Sequence, residues 1–203
     1  VEFPRLKEYA RNQLPFGITQ IGKAYRNEIS PRKGLVRVRE LTQAELEHFI
    51  DPEEDEPRLE RVENVELKLY SREQQNAADG EPQVMTVREA VEDKVVESDW
   101  IAYYLGIAKQ WYESIGVDME RFRFRQHQND ELSHYASDCW DAESQVDGDW
   151  IEITGFAYRG SYDLKKHDQY SREDYKIFKE YDEPKTVEKN VVSPDMSYLG
   201  PEF

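Results

Sequence analysis

Cysteine is almost absent from this 203-residue chain: Cys139 is the single one. That excludes an internal disulfide and a cysteine-rich zinc site. With Trp140 beside it, the thiol reads as a part-buried small hydrophobe. Long apolar runs are missing too. Nothing approaches the roughly 20 consecutive apolar residues of a membrane-spanning helix. The opening Val1-Glu2-Phe3-Pro4-Arg5 has no signal-peptide character and no initiator methionine. The expectation is a cytoplasmic protein without a membrane partner, present as a fragment of a longer chain. There is no Gly-rich phosphate loop of the P-loop or dinucleotide-binding kind. Any nucleotide must therefore be held by side chains.

Positive charge is also scarce. Lys and Arg number 27 against 43 Asp and Glu, a formal charge of −16. Such a chain repels a phosphate backbone globally, so any nucleic-acid contact needs a local basic cluster. The acids are spread along the whole chain, which reads as a surface adapted to high salt, as in a halophile. Aromatic residues, by contrast, make up 12% of the sequence. They argue against disorder and supply one sizeable core or two small ones.

The pattern predicts an α+β fold. Residues 3–13 read as a short helix, ended by Leu14-Pro15-Phe16-Gly17. Residues 18–28 fit a largely buried strand. Leu35-Val36-Arg37-Val38-Arg39-Glu40-Leu41 alternates at period two. Together, residues 18–49 form two long antiparallel strands joined by a mobile basic turn, Ser30-Pro31-Arg32-Lys33-Gly34. An acidic, Pro-bounded loop follows at 51–57, then a strand within 62–70 and a polar excursion at 71–83. Thr86 caps a helix with Glu89 at capping-box spacing. Helical spacing continues to Gly116, with a break near Ser98-Asp99. Residues 121–125, 137–143 and 150–158 read as strands, the last two joined by a turn at Asp147-Gly148-Asp149. Residues 161–170 read as a helix. The chain divides into 1–50, an insert-like region 51–120, further core strands and a helix at 121–182, and the start of a truncated insertion at 183–203.

Arg26, Glu28, Arg37, Arg39 and Glu45 fall on or beside one hairpin. Two readings stand. One is a ladder of cross-strand ion pairs. The other is a polyanion site, because guanidinium forks suit phosphate oxygens and nearby carboxylates can receive an ammonium group or Mg²⁺.

The run Gln20-Ile21-Gly22-Lys23-Ala24-Tyr25-Arg26-Asn27-Glu28-Ile29-Ser30-Pro31-Arg32, followed by Arg37-Val38-Arg39-Glu40-Leu41-Thr42-Gln43-Ala44-Glu45-Leu46-Glu47-His48-Phe49, resembles motif 2 of the class II aminoacyl-tRNA synthetases. It is most similar to the glycyl-tRNA synthetases of archaeal and eukaryotic type. Further resemblance lies in Arg121 to His127, Asp138 to Glu143, Trp150 to Gly155 and Glu183 to Val187, so it spans nearly the whole chain.

The resemblance implies an incomplete class II catalytic core: an antiparallel sheet with flanking helices. It implies glycine activation by ATP with Mg²⁺, then transfer to tRNA(Gly), in a homodimer when full-length. By position, Arg26 would grip the α-phosphate, and Asn27 and Glu28 would follow it, the Glu reading the adenine edge. Arg37 and Val38 would continue the ATP contact. Glu152 and Ile153 match a second ATP-contacting pair, with Glu152 also the Mg²⁺ ligand. Thr42, Gln43 and Glu45 would bind glycine, Glu45 taking its ammonium. The turn at Pro31 to Gly34 would approach the tRNA acceptor end. Two departures stand out: Leu41 replaces the usual Phe under adenine, and Tyr158-Arg159 replaces Asp-Arg. Motif 3 and the anticodon-binding domain have no counterpart here, so the isolated chain is expected to be inactive. The alternative expectation is a non-catalytic synthetase-like binding module.

Overall fold

The computed structural model describes residues 2–28, 38–53, 55–178, 180, 186, 188 and 189. Arg37, the turn at 31–34 and most of 183–203 therefore lie outside the described residues. The elements run α1 (Phe3–Tyr9), β1 (Phe16–Tyr25), β2 (Glu40–Phe49), β3 (Glu66–Tyr70), α2 (Arg72–Asn76), β4 (Gln83–Thr86), α3 (Val87–Glu92), α4 (Asp99–Ser114), β5 (Phe122–Gln126), β6 (Asp138–Val146), β7 (Asp149–Tyr158) and α5 (Tyr162–Tyr170).

Two sheets result. β1 and β2 pair antiparallel over their whole length, from Phe16 opposite Phe49 to Tyr25 opposite Glu40. The second sheet has the order β4-β3-β5-β6-β7, with only β3 and β5 parallel. The α+β expectation, with antiparallel sheets and flanking helices, holds. β3 and β4 come from the 51–120 region, yet they share one sheet with β5–β7.

Local chemistry accounts for the elements. Thr86 and Glu89 form the expected capping box at the start of α3. Ser98 caps α4, so the helical pattern breaks where Ser98-Asp99 stand. Inside the 71–83 excursion the structure adds α2, which begins at a Ser71/Gln74 capping box. Strand β5 alternates strictly, buried with half-buried, and Trp140 and Ala142 of β6 are buried beside it. Leu67, Leu69, Phe124, Trp140 and Ala142 therefore line one face of the large sheet. Val87, Ala90, Ile101, Ala102 and Leu105 of α3 and α4 cover it. Gly106 lets α4 approach closely: a Cβ there would stand 2.7 Å from the Val62 Cβ.

β6 and β7 do not run in step throughout. Ala142 pairs with Thr154 but Glu143 pairs with Glu152, so Ile153 is an extra residue in a β-bulge.

The small sheet departs from expectation. Residues 18–28 read as a largely buried strand, but no residue of β1 is fully buried; Ile21 is 73% and Tyr25 74% exposed. The physical reason is pairing: among the described residues β1 and β2 form a sheet only with each other, so no further strand covers their middle. The pair is anchored at one end. Phe16 and Phe49 stack at 4.8 Å and join Phe3, which stacks on Tyr175. His48 meets the rings of Trp100 and Tyr104 on α4.

Candidate functional site

Cross-strand register determines which hairpin side chains can act together. Residues directly opposite share a face. Gln20 faces Glu45, Gly22 faces Gln43 and Ala24 faces Leu41. Beyond β1 the Arg26 N–H donates to the Arg39 carbonyl at 2.9 Å. By alternation Arg26, Arg39, Leu41, Gln43 and Glu45 thus occupy one face. Thr42 does not: it pairs with Lys23 on the opposite face. Leu41 and Gln43 are half-buried; Arg26 and Glu45 are exposed.

The loop side of the hairpin is held by side chain and backbone together. Arg39 Nε donates to the Glu28 carbonyl at 2.9 Å, and the Glu28 N–H donates to the Arg26 carbonyl at 2.8 Å. This fixes Arg26, the exposed Asn27 and the half-buried Glu28 as a short extension of β1. Val38 is half-buried on the other strand's approach. Arg37 lies outside the described residues. The ion-pair ladder is not what the described residues form. Lys23 and Glu40 pair at 2.9 Å. Arg26 and Glu45 make no ion pair among the described residues.

Glu152 and Ile153 belong to the other sheet, on β7. The face of that sheet opposite the apolar core carries a polar row. Arg123 lies against the rings of Tyr70 and Trp150, at 4.7 and 4.0 Å, and bonds Glu143 at 2.7 Å. Arg125 pairs with Glu131 at 2.6 Å. The backbone hydrogen bond from Gln128, with Arg125 adding to it, lowers the Glu131 carboxyl below its usual range.

Next along the row, His127 Nε2 and Asp141 Oδ2 are 2.8 Å apart. A Cβ on Gly155 would stand 3.6 Å from Asp141 Oδ1 and 3.7 Å from Glu152 Oε1. The missing side chain at Gly155 thus leaves a floor between two carboxylates. Burial raises the Asp141 carboxyl, with Glu152 adding to the rise and His127 opposing it. Burial, and the charges of Asp141, Asp138 and Glu152, push the Cys139 thiol up to about 12. Behind this row, the buried Asp138 accepts from Gln126 Nε2 and Trp140 Nε1 at 3.0 and 3.1 Å.

Sequence reasoning singled out Glu152 but passed over His127 and Asp141. A signal existed. Arg121 to Arg125 alternates polar with apolar residues, and Asp141 and Glu143 are two apart, so pairing those strands aligns their polar sides. Arg159, whose role the departure from Asp-Arg left open, bridges Glu47 of β2 and Asp163 of α5. Burial works against its charge, but the Asp163 hydrogen bond and Glu47 outweigh it and raise its pKa.

Known proteins resemble the chain closely. A family profile for the tRNA synthetase class II core domain (G, H, P, S and T) matches residues 5–186. A glycine–tRNA ligase of Methanothermobacter thermautotrophicus is 48% identical over the whole chain, which covers 36% of that protein. The glycine–tRNA ligases of Pyrococcus horikoshii and Archaeoglobus fulgidus are 46% and 44% identical, again over the whole chain, which covers 36% and 35% of their lengths. The chain thus spans about a third of the curated relatives it matches.

Proposed function

The chain belongs to the class II tRNA synthetase core-domain family, and from that premise we propose that it is catalytic-core material of a glycine–tRNA ligase. The observation that carries the reading is the hairpin face on which Arg26, Leu41, Gln43 and Glu45 stand together, Arg26 and Glu45 making no ion pair among the described residues. The relatives named as ligases match the whole chain, which does not favour the alternative of a non-catalytic binding module.

In this reading the glycine carboxylate attacks the α-phosphorus of ATP and pyrophosphate leaves. The terminal hydroxyl of tRNA(Gly) then attacks the carbonyl of glycyl-adenylate, and AMP leaves. No protein nucleophile is required. Catalysis is positioning and charge neutralisation. Arg26 meets the charge growing at the α-phosphate, and Arg37 extends the contact towards the outer phosphates. Asn27, Glu28 and Val38 flank the nucleotide, Glu28 at the adenine edge, while Leu41 is the apolar slab beneath it. Glu45 takes the glycine ammonium, with Gln43 beside it on the same face. Thr42 stands on the far face, so its part in glycine binding falls to its backbone.

Glu152 and Ile153 complete the nucleotide contacts from β7. Carboxylate oxygens are the hard donors that Mg²⁺ accepts, and Glu152 faces the open floor at Gly155. Glu152 would hold the ion together with substrate phosphates. Bound there, Mg²⁺ neutralises phosphate charge. The turn at 31–34 meets the tRNA acceptor end, the intact enzyme is a homodimer, and it works in the cytoplasm. Among the described residues no helix is long and apolar enough to cross a membrane. Glycine-dependent ATP–pyrophosphate exchange by the intact protein tests the reading. Exchange with glycine and not with alanine or serine is the expected result; no exchange with glycine refutes it.

A further inference from the structure

We propose that His127, Cys139 and Asp141 form a zinc site on the polar face of the large sheet. The imidazole, thiol and carboxylate ligand atoms all lie within 4.8 Å of one another. A tetrahedral zinc, with Zn–S of about 2.3 Å and Zn–N of about 2.0 Å, needs such atoms roughly 3.5 Å apart. Small side-chain rotations close that difference.

The three residues are brought together by the ladder, not by a flexible loop. Cys139 and Asp141 are two apart on β6 and so share a face. His127 follows directly on β5, and its N–H donates to the Cys139 carbonyl at 2.9 Å. Arg72 Nε donates to the His127 carbonyl at 2.6 Å, fixing the backbone from the other side. Ligands carried on paired strands hold their geometry better than ligands on loops.

The donor set selects the metal. One sulfur, one nitrogen and one oxygen suit zinc; thiolate and imidazole do not suit Mg²⁺ or Ca²⁺. On binding, the Cys139 thiol loses its proton to solvent and His127 offers a neutral nitrogen. Thiolate and carboxylate then bring two negative charges, which the divalent ion cancels. That balance suits a half-buried place where unpaired charge is costly. The fourth position opens towards Gly155, where a water completes the shell. The proposal rests on the placement of these three residues and is independent of the ligase reading.

Cobalt(II) reports on such a site directly. The intact protein, stripped with chelator, is titrated with Co²⁺ and followed by absorption. The expected result is a near-ultraviolet thiolate-to-cobalt band with intense visible bands of tetrahedral geometry, all displaced by Zn²⁺ and unaffected by millimolar Mg²⁺. Cys139→Ser should remove the thiolate band. His127→Ala should weaken zinc binding at least about tenfold. The wild-type protein alone can overturn the proposal: Co²⁺ without a thiolate band, or displacement of Co²⁺ by Mg²⁺, refutes it. So does a thiolate band that persists in Cys139→Ser. Pyrophosphate exchange can fail while the cobalt spectrum appears, and the reverse, so the two readings are separately testable.

Discussion

Arg159, one residue beyond β7, reaches across to Glu47 on β2 with its guanidinium nitrogen 3.2 Å from the carboxylate. The same guanidinium bonds Asp163 on α5 and lies over the ring of Tyr135 at 4.7 Å. A single side chain thus ties the exposed hairpin to the large sheet and to the last described helix.

Replacing it tests how far the hairpin depends on that tie. Both partners are substantially exposed, so Arg159→Ala should cost no more than about 1 kcal/mol of global stability. Its effect should instead be local, with faster amide exchange in β1 and β2 and unchanged exchange in β5 and β6. A double-mutant cycle with Glu47→Ala gives the coupling. Equal loss of protection in both sheets would contradict the assignment.

Arg26 and Glu45 share a face but should fail differently. In the proposed function Arg26 meets charge that develops at the α-phosphate, so Arg26→Ala should lower kcat for exchange on the order of 1000-fold. On the same proposal Glu45 meets an ammonium equally charged in ground and transition states, so Glu45→Ala should mainly raise KM for glycine. Thermal melts run alongside decide whether either acts through folding. A much lowered melting point with normal kcat in Arg26→Ala would restore the ion-pair ladder.

The base of the hairpin should respond to acid. Burial lowers the His48 pKa from its ordinary 6.5, with Asp55 opposing. The unfolded chain therefore binds this proton more readily than the folded one. The contribution is fully present above the unfolded value and is lost as pH falls through 6.5 towards the lower folded value. Trp100 fluorescence, sensitive to the His48 ring at 4.7 Å, should follow that loss. His48→Phe should keep the ring packing and flatten the pH dependence.

Gly106 is the point where α4 comes closest to Val62. Gly106→Ala would gain helix propensity of about 1 kcal/mol. It would also force its new methyl to 2.7 Å from Val62 Cβ and 3.1 Å from Val87 Cγ2. The clash should win, with a net loss of about 1–3 kcal/mol in denaturant melts.

At −16 the chain repels itself. Screening by salt shortens the reach of that repulsion to a few ångströms. The thermal midpoint should therefore rise as KCl is taken from low to molar concentration. A flat or falling midpoint would count against a salt-adapted surface.

The sequence made the elements legible where one signal dominated. Period-two alternation marked β5 and the approach to β2, the Thr86/Glu89 spacing marked α3, and Asp147-Gly148 marked the tight turn between β6 and β7. It concealed α2, because five residues are too few for a helical period. That helix is stabilised instead by distant partners: the Gln75 amide donates to the Tyr70 and Gln126 carbonyls. The exposure of Ile21 and Tyr25 was hidden for a related reason: burial depends on what packs against a strand, not on its own residues. Within the site, the hairpin residues were readable as a contiguous run. His127 and Asp141 were not, because they lie 14 positions apart and meet only through the pairing of β5 with β6.

The bulge at Ile153 has an arithmetical consequence. β6 spans its partner with nine residues, and β7 answers with ten. Counting by twos from Trp150 puts Glu152, Thr154 and Phe156 on one side, which would send a carboxylate into the apolar layer. The surplus residue resets the count. Trp150 and Glu152 before it, and Gly155 and Ala157 after it, thereby come out on the same side although their numbers differ in parity. A chain one residue shorter at Ile153 would keep that side intact and lose only the spare peptide unit. What the extra residue brings is a peptide unit outside the ladder, placed immediately beside Glu152, whose carbonyl accepts from the Thr154 hydroxyl at 2.8 Å.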